Sequence, residues 1–397
     1  DLNYQYNYAP NVVREAADPA VVVFKGIYYL FASHNTGYWY SSNLADWTYV
    51  QVDLTLQPQF VKFAPATCVV GDTLYLTHSE GGHMLKSTNP MDPSSWVDIG
   101  QPANWGDPSM LLDDDGYVYL YQGLSSDSPI TVYKLDPNDN MKVVKGPIVC
   151  FSSHPDVYGF EVPGDTNTKY GNGCFLEGAW MVKHEDKYYL TYAVPGTEYA
   201  AYADGCYVAD DPMGPFTFCE NSPVIWKASG FMVGAGHGCL FEDLDGRWWK
   251  ADTVSISVGH AFERRLALYP AVFEKARETD AYASLYTNTV MSDYPMYIPT
   301  KAEDPFQTPG PGWTLLSYGK KATASSALSG GYGAAKAFDE SMRTWWSAAT
   351  ADEGEWLQVD LGKRYNVWSV QTNFADQNTK NDAAIRAEDT YYQYLLE

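Results

Sequence analysis

The sequence predicts an all-β protein, in which a five-bladed β-propeller is followed by a C-terminal β-sandwich (jelly-roll) segment. Three observations point to this fold class. One hairpin pattern occurs five times along the chain, helical periodicity is nearly absent, and the composition changes after a stretch rich in Pro and Gly. Five similar sheets arranged radially protect the strand edges that an open sheet of this size would expose.

Each copy of the pattern has the same four parts: a small or acidic residue, an apolar strand, a short polar turn and an aromatic strand. The copies span residues 18–30, 64–76, 107–120, 177–190 and 237–249, and their first residues are Asp18, Ala64, Asp107, Glu177 and His237. Each first residue lies 11 or 12 positions before an aromatic residue that all copies share. Gly or Asp stands in the turns, as tight hairpins require. The copies start 46, 43, 70 and 60 residues apart, which suits four-stranded blades with loop insertions in the later ones.

The propeller is predicted to span residues 1–298. Pro and Gly cluster over residues 299–312, which indicates a linker. Residues 313–397 show short strand patterns between turns, as is typical of a β-sandwich. These 85 residues are few for a complete sandwich, so we expect a partial module.

Composition and charge exclude several classes of function. The chain has 397 residues, of which 45% are hydrophobic, enough for a sizeable core. Its formal charge is 26 − 49 = −23, which repels phosphate backbones, so we expect no nucleic-acid partner. No run approaches the ~18 apolar residues of a spanning helix, so we expect no membrane insertion. The chain starts at Asp1 without an apolar leader, and we expect a secreted or periplasmic protein whose signal peptide is absent from this sequence.

The first residues of the five copies are predicted to meet at one mouth of the central funnel, because rotation about the propeller axis relates equivalent positions. That would gather Asp18, Asp107 and Glu177, with His237 beside them. Clustered acids repel one another, which raises at least one pKa and keeps a proton available near neutral pH. Glycoside hydrolysis needs a protonated acid opposite an ionised base. Metal binding by the carboxylates is the chemical alternative, and a non-catalytic sugar-binding propeller is the alternative class.

Several short motifs together resemble glycoside hydrolase family 43 over about residues 10–298. They are Asp18-Pro19, Ala64-Pro65, Asp107-Pro108, Glu177-Gly178 and Gly236-His237-Gly238. The resemblance implies an inverting mechanism, with Asp18 as the base that activates water, Glu177 as the acid, and Asp107 raising the pKa of that acid. It also implies that His237 lies near a bound calcium or sodium ion, contacted through water, and that Arg264 contacts the sugar. No cofactor is expected for the chemistry itself.

Two further features extend this interpretation. The segment from about Ser317 resembles a discoidin-like (factor 5/8 type C) β-sandwich, through residues 322–326, 337–339, 344–347 and 356–362. That resemblance implies carbohydrate binding. Phe63 and Trp105 stand just before the first residues of the second and third copies and are predicted to form a sugar platform, with core packing as the alternative.

The resemblance, rather than residue spacing, supplies the expected substrate. We expect an exo-acting glycosidase that removes sugars from side chains of plant cell-wall polysaccharides. An α-L-arabinofuranosidase is the leading hypothesis. A β-xylosidase or a β-1,3-galactosidase would present much the same acids.

Overall fold

Five antiparallel sheets account for the larger part of the molecule. The computed structural model describes residues 16–33, 36–60, 63–79, 81–255, 264–289, 314–373 and 394–397. Blade 1 contains β1 (Ala17–Phe24), β2 (Ile27–Ser33), β3 (Gly37–Ser41) and β4 (Thr48–Gln51). Blade 2 contains β5 (Ala66–Val70), β6 (Thr73–Thr77), β7 (Leu85–Ser87) and β8 (Val97–Asp98). Blade 3 contains β9 (Ser109–Leu112), β10 (Val118–Gln122), β11 (Ile130–Asp136) and β12 (Lys142–Phe151).

The last two blades follow the same order of strands. Blade 4 contains β13 (Glu177–His184), β14 (Lys187–Val194), β15 (Ala203–Ala209) and β16 (Thr217–Phe218), with β17 (Ile225–Trp226) also paired to β15. Blade 5 contains β18 (Val233–Glu242), β19 (Trp248–Ser255), β20 (Arg264–Glu274) and β21 (Ser284–Thr287). The first two strands of every blade form one of the five predicted hairpins.

The hairpin turns follow from their residues. In blade 1, Phe24 pairs with Ile27, so Lys25 and Gly26 make a two-residue turn. Both turn residues have positive φ, 50° and 76°, as the twist of a two-residue hairpin demands, and Gly adopts such a φ without steric cost.

The blades are arranged in a ring. The innermost strands β1, β5, β9, β13 and β18 contact one another in that order, and β18 contacts β1 again. The ring is also closed by a hydrogen bond from the Ala16 N–H to the Arg264 carbonyl at 3.2 Å. Buried apolar clusters lie between successive blades, as Phe31, Leu74 and Trp96 do between blades 1 and 2. The predicted five-bladed propeller is therefore confirmed.

The C-terminal segment contributes a small antiparallel pair, β22 (Lys321–Ala324) and β23 (Leu357–Asp360). Arg343 of this segment contacts the propeller, since its guanidinium pairs with Asp165 and donates to the Glu198 carbonyl at 3.1 Å. The predicted linker over residues 299–312 lies outside the described residues. Within the described ranges, no helix has both the length and the apolar character needed to cross a bilayer.

Candidate active site

Each of the five blades has a residue of unusual backbone conformation in its innermost strand or just before it. Asp18, Ala64, Asp107 and His237 have φ values of 52°, 39°, 46° and 50°. This left-handed region is uncommon for residues other than Gly. Four of the five predicted first residues therefore occupy one equivalent position, and in blades 1 and 5 the strand pairing shifts register there.

The fourth copy departs from this prediction by one residue. Glu177 pairs with Ala193, as Ala17 pairs with Ser33, so Gly178 rather than Glu177 matches Asp18. Gly178 carries the positive φ of 59°. The turn of blade 4 is no longer than that of blade 1, because His184 and Lys187 pair across two residues, so the extra residue of the fourth copy lies before the strand. Glu177 is the residue before this equivalent position, and its side chain joins the cluster from there.

Gly178 leaves room for the histidine. A Cβ atom added at Gly178 would lie 2.6 Å from Cγ of His237, which is closer than any real contact. The absence of a side chain in blade 4 therefore lets the imidazole of blade 5 extend toward the carboxylates. Two residues that lie 59 positions apart in sequence depend on each other for their placement.

The four predicted side chains come together. His237 Nδ1 lies 3.3 Å from Asp18 Oδ1 and 3.7 Å from Asp107 Oδ2. Single ligand atoms of Asp107, Glu177 and His237 lie within 4.8 Å of one another. All four residues are buried, with exposures between 5% and 8%.

Burial and mutual repulsion set the protonation of this cluster. Burial raises the pKa of Glu177 to about 8, and the charge of Asp107 acts in the same direction. Burial also raises the pKa of Asp107 above its ordinary value, although the charge of His237 opposes this shift. For His237 burial acts to lower the pKa, but the neighbouring carboxylates outweigh it and the net shift is upward. At neutral pH the cluster thus favours a proton on the carboxyl group of Glu177.

Hydrogen bonds orient the individual carboxyl groups. The Tyr202 hydroxyl donates to Glu177 Oε1 at 2.6 Å, and the Ser33 hydroxyl donates to Asp18 Oδ2 at 2.5 Å. Arg264 Nη1 lies 3.2 Å from Asp18 Oδ1 and 3.5 Å from Thr197 Oγ1. Arg264 therefore lies at the cluster, where its charge faces the carboxylate of Asp18.

In three blades, a hydroxyl group in or just after the second strand accepts a hydrogen bond from the backbone of the next blade. Ser33 Oγ accepts from Ala64 N at 2.7 Å, Ser79 Oγ accepts from Asp107 N at 3.1 Å, and Thr253 Oγ1 accepts from Asp18 N at 2.8 Å. Sequence reasoning missed these residues. Their signal is a Ser or Thr four positions after the shared aromatic residue in copies one, two and five.

A buried ion network lies next to His237 and was also missed. Lys250 Nζ is 2.7 Å from Asp204 Oδ2 and 3.1 Å from Asp252 Oδ1, and all three side chains are fully buried. Asp204 Oδ1 accepts the His237 N–H at 3.0 Å. Buried charges persist only where their partners are fixed, so this network anchors the backbone of His237. No repeated pattern marks these positions in the sequence.

The two predicted platform aromatics lie in different environments. Phe63 is half-buried at the entry of blade 2. Trp105 is only 3% exposed, packs among Met84, Val118 and Leu120, and donates from Nε1 to Thr77 Oγ1 at 3.0 Å. This burial argues against Trp105 as a stacking platform, because no open ring face is left for a sugar.

Three side chains of the cluster lie where the expected calcium or sodium ion could bind. Single ligand atoms of His237, Asp107 and Glu177 lie in one place, but Glu177 keeps its proton at neutral pH, so the ligands on offer are the His237 imidazole and the Asp107 carboxylate. Calcium takes six to eight ligands, mostly oxygen, so these residues fit a cation that keeps most of its ligands as water. Such an ion would lie beside His237.

Two protein-family models match this chain, one over the propeller and one over the C-terminal segment. The family model described as glycosyl hydrolases family 43 matches residues 9–273, and that of the F5/8 type C domain matches residues 321–388. A β-xylosidase of Xylanibacter ruminicola is 29% identical over 28% of this chain and 39% of its own length. A xylosidase/arabinosidase of Bacteroides ovatus is 26% identical over 42% of this chain and 51% of its own length. The chain thus spans about half or less of these curated relatives.

A solved structure shares the propeller fold. It is titled an endo-1,4-β-xylanase of Bacteroides thetaiotaomicron, with 22% identity, a TM-score of 0.56, and coverage of 72% of this chain and 96% of that one. The family match extends over about two thirds of the sequence and includes every residue of the carboxylate cluster. The chain belongs to glycosyl hydrolases family 43 and carries an F5/8 type C domain after the propeller.

Proposed function

We propose that this chain is an exo-acting, inverting glycoside hydrolase. The observation that carries the proposal is the buried cluster in which Glu177 retains a proton while Arg264 faces Asp18. In this mechanism Asp18 accepts a proton from water as the water oxygen attacks the anomeric carbon. Glu177 donates its proton to the glycosidic oxygen as that bond breaks, so the configuration at the anomeric carbon inverts.

The surrounding residues support these two roles. Tyr202 donates to Oε1 of Glu177, so the acidic proton resides on Oε2. The charge of Asp107 helps to keep the proton there, and Asp107 is held by the Ser79 hydroxyl. Arg264 Nη1 contacts both Asp18 and Thr197 at the same site, and the role that we assign to it is a contact with a sugar hydroxyl.

A terminal pentose on a plant cell-wall polysaccharide is the substrate that we propose. The names of the relatives support a β-xyloside or an α-L-arabinofuranoside, and a β-1,3-galactoside is the further alternative. The F5/8 type C domain would supply a second contact with the polysaccharide. Because a polymer cannot cross a membrane, the proposed site of action is outside the cell or in the periplasm. Activity recovered only from the cytoplasmic fraction of the source cells would contradict that location.

Nitrophenyl β-xyloside, α-L-arabinofuranoside and β-galactoside test the activity, with the first-formed anomer identified by NMR. We expect cleavage of a pentoside with inversion. Glu177→Gln and Asp18→Asn should each lower kcat by about two to four orders of magnitude and still bind the sugar product in calorimetry. Wild-type turnover in either variant would remove its assigned role. Sugar binding by the wild type without any turnover would instead indicate a binding propeller.

We also propose a hydrated cation beside His237. When bound, it would add positive charge next to the carboxylates. Calorimetric titration of the chelator-treated protein with CaCl2 should show one binding event, which His237→Ala weakens. Equal calcium binding by the variant would contradict this assignment.

A further inference from the structure

The connection between β14 and β15, residues 195–202, lies beside the carboxylate cluster. It begins at the level of Glu177, which pairs with the second-last residue of β14. Two buried side chains of this connection contact the cluster. Thr197 Oγ1 lies 3.5 Å from Arg264 Nη1, and the Tyr202 hydroxyl donates to Glu177 Oε1 at 2.6 Å. The backbone of the connection therefore sets where two polar contacts of the cluster lie.

Short turns and one carboxylate from outside hold this backbone. The Tyr199 N–H donates to the Gly196 carbonyl and the Tyr202 N–H donates to the Tyr199 carbonyl, both at 3.1 Å. Between them, the Ala200 N–H donates to Asp165 Oδ1 at 2.9 Å. Asp165 belongs to the loop between β12 and β13, so the course of the connection depends on a residue 35 positions earlier in the sequence.

Arg343 of the C-terminal segment contacts both the connection and its supporting carboxylate. Its Nη1 pairs with Asp165 Oδ2, whereas Ala200 donates to the other oxygen of that carboxylate. Its Nη2 donates at 3.1 Å to the carbonyl of Glu198, the residue after Thr197. The planar guanidinium presents its N–H groups in a fixed fork, so both contacts restrain the connection at once. Position 343 lies within the F5/8 type C match.

These contacts lie at the surface of the protein. The side chains of Arg343 and Asp165 are 47% and 45% exposed, and ion pairs at such exposure add little to the stability of the whole protein. Connections between strands open locally more easily than the sheets that they join. We therefore expect that losing the contact leaves the fold intact and loosens the backbone that carries Thr197 and Tyr202.

We propose that Arg343 is a positioning residue for the carboxylate cluster, which acts through Asp165 and the 195–202 connection on Thr197 and Tyr202. The inference rests on the proposed glycosidase function and adds to it a role for the F5/8 type C domain inside the catalytic domain. Arg343 contacts no substrate in this role, so its removal should weaken catalysis without abolishing it.

Hydrogen exchange of the full chain tests the restraint directly. In Arg343→Ala, we expect the amides of residues 195–202 to exchange about fivefold faster than in the wild type. Lys336→Ala is the matched control, because Lys336 is 44% exposed and pairs with Asp339 inside the C-terminal segment. It should leave exchange at residues 195–202 unchanged. Both variants should melt at about the wild-type temperature, because an exposed ion pair adds little to stability.

Kinetics test the effect on the cluster. Arg343→Ala should lower kcat/KM about fivefold for the nitrophenyl glycoside that the wild type cleaves. Arg343→Lys keeps the ion pair with Asp165 but lacks the fork, so it should recover part of that loss. Asp165→Asn keeps an oxygen for the Ala200 N–H and loses the ion pair. Because both residues act in one chain of contacts, Asp165→Asn should add nothing to the loss in Arg343→Ala.

Faster exchange together with lower kcat/KM in Arg343→Ala, and neither change in Lys336→Ala, supports the proposal. Unchanged exchange, unchanged kcat/KM or equal effects in these two variants would overturn it. The exchange measurement needs no turnover, so it separates this inference from the proposed function. If the wild type cleaves no glycoside, the proposed function fails, and faster exchange in Arg343→Ala still supports the restraint of Thr197 and Tyr202 by Arg343.

Discussion

At the scale of single residues, the neighbours Glu177 and Gly178 have two different roles in the carboxylate cluster. Glu177 supplies a buried carboxyl group that keeps its proton, and Gly178 supplies the space for His237. A larger residue at position 178 would displace the imidazole from the carboxylates. An aspartate at position 177 has a shorter side chain, so its carboxyl group would not extend as far into the cluster.

The pH dependence of catalysis is predicted from Glu177. Its carboxyl group is active when protonated, so kcat/KM should fall as the pH rises through about 8. Asp107→Asn removes a negative charge that raises this pKa, so the alkaline limb should move to lower pH, with a lower maximal rate. Asp115→Asn, in the hairpin turn of the same blade, is the control and should leave the limb in place. An unmoved limb in Asp107→Asn would count against the role assigned to Asp107.

Gly178→Ala should impair both stability and catalysis. A non-Gly residue at positive φ costs about 1–2 kcal/mol, and the new Cβ also displaces the His237 ring. We expect a lower melting temperature and kcat/KM reduced about a hundredfold. Gly26→Ala is the matched control, since φ there is 76° and nothing lies within 4 Å of the added Cβ. It should lose stability and keep activity, and equal activities in the two variants would contradict the explanation.

At the scale of elements, the hydroxyl groups of Ser33, Ser79 and Thr253 connect one blade to the next. Each accepts the backbone N–H of a residue at the start of an innermost strand. Two of those residues are Asp18 and Asp107. The same bonds therefore join the blades and set the backbone from which the carboxylates extend.

Thr253→Val tests the bond that closes the ring. The substitution keeps the side-chain shape and leaves the buried Asp18 N–H without this acceptor, which should cost about 1–3 kcal/mol of unfolding free energy. Chemical denaturation measures that cost. Thr191→Val is the control, because the Thr191 hydroxyl donates to a carbonyl within its own blade at 3.3 Å. If both variants lose the same stability, closure between blades 5 and 1 does not depend on Thr253.

At the scale of the whole molecule, the charge of −23 acts on the approach of ligands rather than on the fold. A neutral sugar experiences little of this field. A polysaccharide carrying uronic acids is repelled by it. The charge therefore favours neutral substrates over long distances, before any contact in the funnel is made.

Ionic strength measures this effect. Between about 0.05 and about 0.5 M NaCl, kcat/KM for a neutral nitrophenyl glycoside should change less than about twofold, because the uncharged substrate is not steered. For a substrate bearing glucuronic acid, kcat/KM should increase as salt screens the repulsion. A strong salt dependence for the neutral glycoside would contradict this prediction.

The sequence by itself determined the five blades and the gathering of the acids, because both arise from a local pattern repeated along the chain. Apolar strands, turn residues and shared aromatics act within about fifteen residues, and rotational symmetry then brings Asp18, Asp107 and His237 together. The predicted position of Glu177 is one residue out of register. The spacing between Glu177 and the shared aromatic residue is one longer than in the first copy, and this spacing does not show whether the additional residue lies in the turn or before the strand.

The tertiary structure alone decided the features that depend on contacts between distant segments. The sequence shows that residue 105 is a tryptophan but not whether its ring is exposed, because packing between blades 2 and 3 is what buries it. Lys250 and Asp252 are neighbours on one strand, but nothing in the sequence shows that Lys250 pairs with Asp204, because these two residues meet only when strands of blades 4 and 5 pack together. Local pattern specifies strands and their order, whereas burial, charge pairing and cavity shape are set by the neighbours that folding supplies.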